Sequence, residues 1–364
     1  MGIGLGRASD RAERSVVEAL SVRCLRNLRQ VDLYLEPGLL VLVGGNGAGK
    51  TAVLEALYLL SRGRSFRGRR YGPLVTHGET FARIEGRLVR DGRCQRIGWD
   101  SRADTATDNG ENNVGYGGFR VRLICDATHA LVEGDPALRR RFLDWNVFHV
   151  EPRYAGRWSR FRRIAAQRNA WLRAGGTGAA VWDLAYAEAM AAIAQARAAF
   201  FDRLRRAFEV LTNRTGWFPG LTPIWQDSLI EAAAILERLT EMRPADVDRG
   251  YSFVSLARAD FLFQIDGRRW IGSRGETKLV GVLMQLAAES VVVADSGDAA
   301  LWLVDDIAAE LNDDWQARLI DLVGRQCQQM VLTSLPGRLP KCPEQTNVQM
   351  FHVEHGTVQR CGSV

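Results

Sequence analysis

Residues 39–60, LLVLVGGNGAGKTAVLEALYLL, restrict what this chain can become more than any other stretch. The apolar run Leu39–Val43 reads as a buried strand. A glycine-rich turn follows (Gly44, Gly45, Asn46, Gly47, Ala48, Gly49), then Lys50, Thr51 and an apolar-periodic helix over 52–60. Strand, G-x-x-x-x-G-K-[ST], helix is a phosphate-binding loop in the setting that gives the pattern its meaning. Glycines let the backbone fold around phosphate oxygens, so that N–H groups and the positive helix start face the anion. Lys50 then neutralises charge on the β- and γ-phosphates, and the Thr51 hydroxyl sits on Mg²⁺. The stretch predicts nucleoside triphosphate binding on an α/β fold, a mixed sheet with flanking helices.

The segment LWLVDDIAAELN (301–312) supplies the complementary half: a hydrophobic strand ending in two acids. Asp305 is expected to anchor Mg²⁺ near Thr51, and Asp306 stands where a base can orient the attacking water. Lys50 and Asp306 are therefore the catalytic candidates, and Thr51 and Asp305 the metal candidates. Most of the chain is inserted between these two halves of one site. Shortly before Asp305 comes Gly272-Ser273-Arg274-Gly275-Glu276-Thr277-Lys278, a Ser/Gly turn opening a helix. Such a turn presents N–H groups and a hydroxyl to an anion; the plainer alternative is a helix cap by Ser273. With one loop already holding the nucleotide, Ser273, Arg274 and Gly275 are best used on a second copy's nucleotide, which predicts ATP-driven homodimerisation.

At 364 residues two packed units are expected. Composition is that of a globular protein, 46% hydrophobic and 25% charged, and no apolar run approaches a membrane span. The opening MGIGLGRASDRAERS lacks the apolar h-region of a signal peptide, and the six scattered cysteines form no C-x-x-C pair. A reduced cytoplasmic setting is expected. The net charge is +6, carried almost wholly by arginine, since Lys50, Lys278 and Lys341 are the only lysines. Such a balance permits nucleic-acid binding.

Residues 19–43 read as paired strands with Pro37-Gly38 as a hairpin turn, and 19–125 as one mixed sheet. The polar stretch 103–118 reads as a mobile loop. From Pro136 to about Thr212 the periodicity is helical; strands return at 251–256 and 260–266. The expected organisation is a flexible extension over 1–18, a split lobe over 19–135 and 250–364, and an inserted, mainly helical lobe over 136–249. Between Arg139 and Arg173 ten arginines face only Asp144 and Glu151. This one-sided run reads either as a solvated helix face or as a surface that tracks phosphates.

These ingredients resemble the ABC-type ATPase heads shared by SMC proteins and the RecF family of recombination mediators. The RecF family is the better match. LRNLRQVDLYLEPGLLVLVGGNGAGKTAVLEALYLLSRGRSFR follows its N-terminal stretch, and LVEGDPALRRRFLDWNVFHVEP (131–152) carries its G-x-P-x-x-R-R-x-F-L-D segment at Gly134, Pro136, Arg139, Arg140, Phe142, Leu143 and Asp144. The resemblance covers roughly 19–355, without the coiled-coil heptads of SMC proteins. It implies an ABC-type head with an inserted helical lobe, ATP and Mg²⁺ as cofactors, and Ser273, Arg274 and Gly275 as a signature across a dimer. It also implies DNA binding at gaps or single/double-strand junctions, with RecO and RecR as partners in placing RecA and slow hydrolysis releasing the DNA. Phosphate contacts are expected from Arg67, Arg139, Arg140, Arg157, Arg160 and Arg163.

The chain departs from the family pattern at Asp126-Ala127, at Ser255–Arg258, at Gly272 and Glu276 around the signature, and at Asn312 in A-E-L-N. The departures leave a second reading, a nucleotide-gated binding module with little or no hydrolysis. A transporter nucleotide-binding subunit is a third, opposed by the missing L-S-G-G-Q and switch histidine.

Overall fold

The structure is a computed structural model that describes residues 15–68, 72–102, 118–177, 181–226, 229–306, 312–338 and 347–361. The expected extension over 1–14, the polar loop over 103–117 and residues 309–311 of A-E-L-N lie outside the described residues. The chain divides into two units, Met1–Thr128 with Gly297–Val364, and His129–Ser296.

In the first unit, β1 (Ser15–Leu25) and β2 (Leu28–Tyr34) form an antiparallel hairpin whose alternating residues Leu20, Val22, Val31 and Leu33 enter the core. Ser15–Glu18, expected as extension, belong to β1. The next strand, β3 (Gly38–Val43), leaves this pair for another sheet. Its four central residues are buried, as a strand covered on both faces requires, and it finds parallel partners there. Pro37-Gly38 is therefore a crossover between sheets and not a hairpin turn, with Gly38 at φ +117°. After α1 (Lys50–Arg62), β4 (Arg83–Arg90) and β5 (Arg93–Asp100) pair through Asp91-Gly92, both at positive φ as a tight hairpin demands. The result is a four-stranded antiparallel sheet, β2-β1-β4-β5, packed on α1. The segment β6 (Val121–Ile124) joins the other sheet, so the single sheet expected over 19–125 is in fact two.

The second unit carries α2 (Ala130–Glu133), α3 (Pro136–Val150), α4 (Tyr154–Arg173), α5 (Val181–Thr215), β7 (Thr222–Gln226), α6 (Ala232–Arg249), β8 (Asp260–Ile265), β9 (Arg268–Arg269) and α7 (Arg274–Ser296). Asp135 caps α3 by accepting from the Ala137 N–H, with Pro136 in the first turn. No strand forms over 251–256. Side chains take its carbonyls instead: Tyr186 donates to Val254 O at 2.7 Å and Arg197 to Leu256 O at 2.9 Å. Since β8 pairs with β7 and β9, and α7 packs on α5, residues 250–296 belong with the helical unit, and the expected boundaries move to 128/129 and 296/297. By length and apolarity alone α7 matches a membrane-crossing helix; here its apolar residues are buried against α5, α3 and α2.

Charge is buried in pairs in this unit. Fully buried Arg168 donates to Asp183 at 2.8 Å, Asp246 at 3.1 Å and Ser252 at 2.6 Å, while Arg243 also reaches Asp183. Arg197 holds Asp144 through two bonds, at 2.7 and 2.9 Å, and Tyr154 donates to the same carboxylate. Burial, then the charge of Asp144, raises the Tyr154 phenol pKa, so it stays a donor.

The chain then returns to the first unit with β10 (Leu301–Val304), α8 (Asp313–Gly324), β11 (Gln329–Ser334), β12 (Val348–Glu354) and β13 (Thr357–Arg360). They complete a six-stranded sheet, β13-β12-β3-β11-β10-β6, parallel except for the terminal β12/β13 hairpin. The register sets Leu42 beside Thr333, Leu332 beside Val304, and Val304 beside Ile124. The carboxyl ends of β3, β11, β10 and β6 therefore share one edge, where open α/β sheets bind ligands.

Removing Arg168 leaves Asp246 without its buried counter-charge. Arg168→Met is expected to lower stability by about 3–5 kcal/mol, measured as a drop in urea unfolding midpoint. An unchanged midpoint would show that the pairing is energetically idle.

Candidate functional site

At that shared edge the loop between β3 and α1 closes on itself. Gly49 sits at φ +120°, where a Cβ would meet the Leu28 side chain at 2.9 Å; at Gly44 a Cβ would lie 2.2 Å from the Val353 carbonyl oxygen. Neither position admits a side chain. Lys50, the first residue of α1, folds back so that Nζ donates to Gly44 O at 2.7 Å and Gly45 O at 2.8 Å. Partial burial lowers its pKa, while Asp305 and Asp306 oppose the shift.

Thr51 and Asp305 meet here, with Thr51 Oγ1 donating to Asp305 Oδ1 at 3.1 Å. Thr333, at the end of β11, donates to the same oxygen at 2.9 Å. Burial raises the Asp305 carboxyl above the ordinary range, and these two hydroxyls offset part of the shift. Asp306 takes a left-handed backbone, φ +47°, and its N–H donates to Thr333 Oγ1 at 2.9 Å. Among the described residues no cluster of three or more His, Cys, Asp or Glu is arranged to hold a metal unaided. A carboxylate and a hydroxyl beside a phosphate loop suit Mg²⁺, which takes oxygen ligands and completes its shell with water and phosphate.

These groups line a cleft of about 340 Å³, bounded by Asn46 to Ala52 on one side and by Asp305 and Asp306 on another. Arg26, Asn27, Arg67, Asp126, Thr333, Ser334 and Leu335 complete the lining. Motif reading misses Arg26 and Asn27 because they come from the β1–β2 turn. Arg26, at φ +55°, is held by the fully buried Glu55 through Nε and Nη2, each at 2.9 Å, and Asn27 donates to Gly47 O at 3.0 Å. The available signal is Glu55 itself, an acid on the apolar face of α1.

Arg67, expected on DNA, lies instead at this cleft, close enough to oppose the rise in Asp305. The chain turns there because Gly63 ends α1 in a left-handed cap, Ser65 donates to Glu55, and the Arg67 N–H donates to Ser65 Oγ at 2.9 Å. Ser273, Arg274 and Gly275 belong to the second unit and are not among the lining residues. The Ser273 N–H donates to Glu276 Oε2 at 2.8 Å, and the Glu276 N–H points back to Ser273 Oγ at 3.4 Å. This reciprocal capping box holds the Glu276 carboxyl below its ordinary pKa.

The remaining arginines divide sharply. Arg139 is buried, bonded to Asp260 at 2.7 and 2.9 Å and to Gly134 O at 2.7 Å, so it is structural and not a phosphate contact. Arg140 reaches Ala259 O at 3.2 Å. On α4, Arg160 and Arg163 are exposed and Arg157 is half-buried; Glu151 lies 3.7 Å from Arg157, and Glu188 3.8 Å from Arg160.

No protein-family model matches the chain. It is 31% identical over 360 residues to the DNA replication and repair protein RecF of Pseudomonas aeruginosa (strain LESB58), covering 95% of this chain and 98% of that protein. It is 34% identical over 370 residues to RecF of Stenotrophomonas maltophilia (strain R551-3), covering 94% and 98%. A solved RecF-ATP structure of the RecFOR pathway superposes with a TM-score of 0.80 at 21% identity, over 96% of this chain and 100% of that one. An Smc head domain from Pyrococcus furiosus superposes at 0.53 with 14% identity, over 96% of each chain.

A carboxyl whose pKa is raised by folding binds its proton more tightly in the folded chain, so its contribution to stability is present at acid pH and lost as pH rises through the raised value. Asp305→Asn is therefore expected to raise the melting temperature at about pH 8, with the gain shrinking toward about pH 4. Melting curves across that range check this. A variant less stable than the parent at the alkaline end would contradict it.

Proposed function

The chain belongs to the RecF family of DNA replication and repair proteins, and we propose that it is an ATP-dependent DNA-binding protein of recombinational repair. In this reading the first-unit cleft takes ATP with Mg²⁺. Gly44 to Gly49 and Lys50 hold the phosphates, Thr51 and Asp305 hold the metal, and Asp306 orients the water for slow hydrolysis. Ser273, Arg274 and Gly275 contact the nucleotide of a second copy, making ATP the trigger for dimerisation. Gapped DNA or single/double-strand junctions, with RecO, RecR and RecA, complete the role.

One observation carries the nucleotide part. Thr51 and Asp305, 254 positions apart, share a hydrogen bond at 3.1 Å beside the phosphate loop. A folded chain that only used the glycine turn as a connector has no need to bring a buried carboxylate to it.

Glu276 favours a slower enzyme, or the second reading of a gated module without useful turnover. Its carboxylate occupies the first turn of α7, where a second copy's triphosphate would have to approach. Like charges there repel. Asn312 is used locally as well, capping α8 by accepting from the Trp315 N–H at 3.0 Å. Turnover is therefore expected to be weaker than in a RecF with glutamine at the position of Glu276, and Glu276→Gln is expected to raise it. Equal turnover in parent and variant would remove this role from Glu276.

Light scattering with and without ATP and Mg²⁺ tests the switch. A shift from monomer to dimer mass, lost in both Lys50→Met and Ser273→Arg, is expected. A chain that binds ATP and stays monomeric would overturn the dimer and leave the gated module. For DNA, the triple change of Arg157, Arg160 and Arg163 to alanine is expected to weaken binding and flatten its salt dependence. An unchanged slope would make the α4 face a solvated one.

A further inference from the structure

We propose that Thr333 is a positioning residue of the phosphate cleft, whose single hydroxyl fixes the carboxylate of Asp305 and the backbone of Asp306 together. The proposal rests on the reading of this cleft as a Mg²⁺-nucleotide site.

A threonine hydroxyl has one proton to give and two lone pairs to receive. Here both functions are engaged. The proton goes to Asp305 Oδ1 at 2.9 Å, and the oxygen receives the Asp306 N–H at 2.9 Å. Thr51 donates to the same Oδ1 at 3.1 Å, so both hydroxyl contacts fall on one carboxylate oxygen. Two donors on one oxygen, carried by α1 and β11, restrict the carboxylate more than either contact alone.

The position of Thr333 in the sheet explains why a side chain is needed. The β10–β11 ladder ends at Val304 beside Leu332. One step further, the Asp305 N–H still bonds to Ile124 O at 2.8 Å on the β6 side. Asp306 then leaves the strand with φ +47°, a conformation that costs an L-residue energy and must be held from outside. The Thr333 hydroxyl stands in for the missing ladder partner. Thr333 is itself buried, at 3% exposure, with its backbone paired to Leu42 on the strand that feeds the phosphate loop. It therefore ties the two halves of the site to the strand between them.

The test compares Thr333→Val, which keeps the shape and removes the hydroxyl, with Thr333→Ser, which keeps the hydroxyl. ATP binding by the full-length chain is titrated against Mg²⁺, and melting curves confirm folding. Thr333→Val is expected to raise the Mg²⁺ concentration for half-maximal ATP binding by about 10–100-fold, the usual cost of losing a group that orients a metal ligand. ATP binding without Mg²⁺ is expected to change less than the Mg²⁺ dependence does, and Thr333→Ser is expected to restore the Mg²⁺ dependence. If Thr333→Val does not fold, Thr333→Ala set against Thr333→Ser gives the same contrast. Parental Mg²⁺ dependence in the hydroxyl-free variants would overturn the proposal. So would equal impairment of Thr333→Ser, which would make the methyl group and its packing the relevant feature. A parent chain that binds ATP without any response to Mg²⁺ would instead remove the metal-site reading, and this proposal with it.

Discussion

Everything at the candidate site depends on the parallel register of β3, β11 and β10. That register brings Leu42, Thr333 and the end of β10 to one edge, and the hydroxyls of Thr51 and Thr333 then converge on Asp305. Parallel strands cannot be joined by tight turns, so the connection from β6 to β10 must travel out of the sheet and back. The chain uses that excursion to hold the whole second unit. Burial raises the pKa of Asp305, and the hydroxyls of Thr333 and Thr51 and the charge of Arg67 offset part of that shift.

The phosphate loop and the acid pair were legible in the sequence because each has a local signature, a glycine pattern and an apolar run into two acids; the Ser/Gly turn before α7 was legible as a turn opening a helix, and the structure uses Ser273 in its cap. The register and the sheet partners were not. Four buried residues in β3 look the same whether the strand continues a hairpin or enters a parallel sheet, so Pro37-Gly38 was read as a turn. Arg26, Asn27 and Thr333 were missed for a related reason. Arg26 and Asn27 reach the cleft from the β1–β2 turn and Thr333 from the end of β11, and no local pattern marks any of them as facing the phosphate loop. The second boundary moved to 296/297 because β8 and α7 pack with helices upstream, a choice that periodicity alone does not decide.

The arginines teach a second lesson. A one-sided run of positive charge over 139–173 looks like a nucleic-acid surface, yet Arg139 and Arg168 are buried and spent on Asp260, Asp183 and Asp246. The partners lie well downstream, so the local excess of charge was partly an accounting effect of sequence distance. Asp144 likewise pairs with Arg197, which ties much of the family segment over 134–144 to the architecture of the second unit. On α4, Arg160 and Arg163 stay exposed.

Whether the first-unit cleft is a working Mg²⁺-nucleotide site is decided by calorimetric titration of the purified parent chain with ATP, in the presence and absence of Mg²⁺. Binding of one ATP per chain that tightens with Mg²⁺ is predicted, since Asp305 and Thr51 would hold the metal beside the phosphates. An absence of ATP binding, or binding equally tight without the metal, would contradict it.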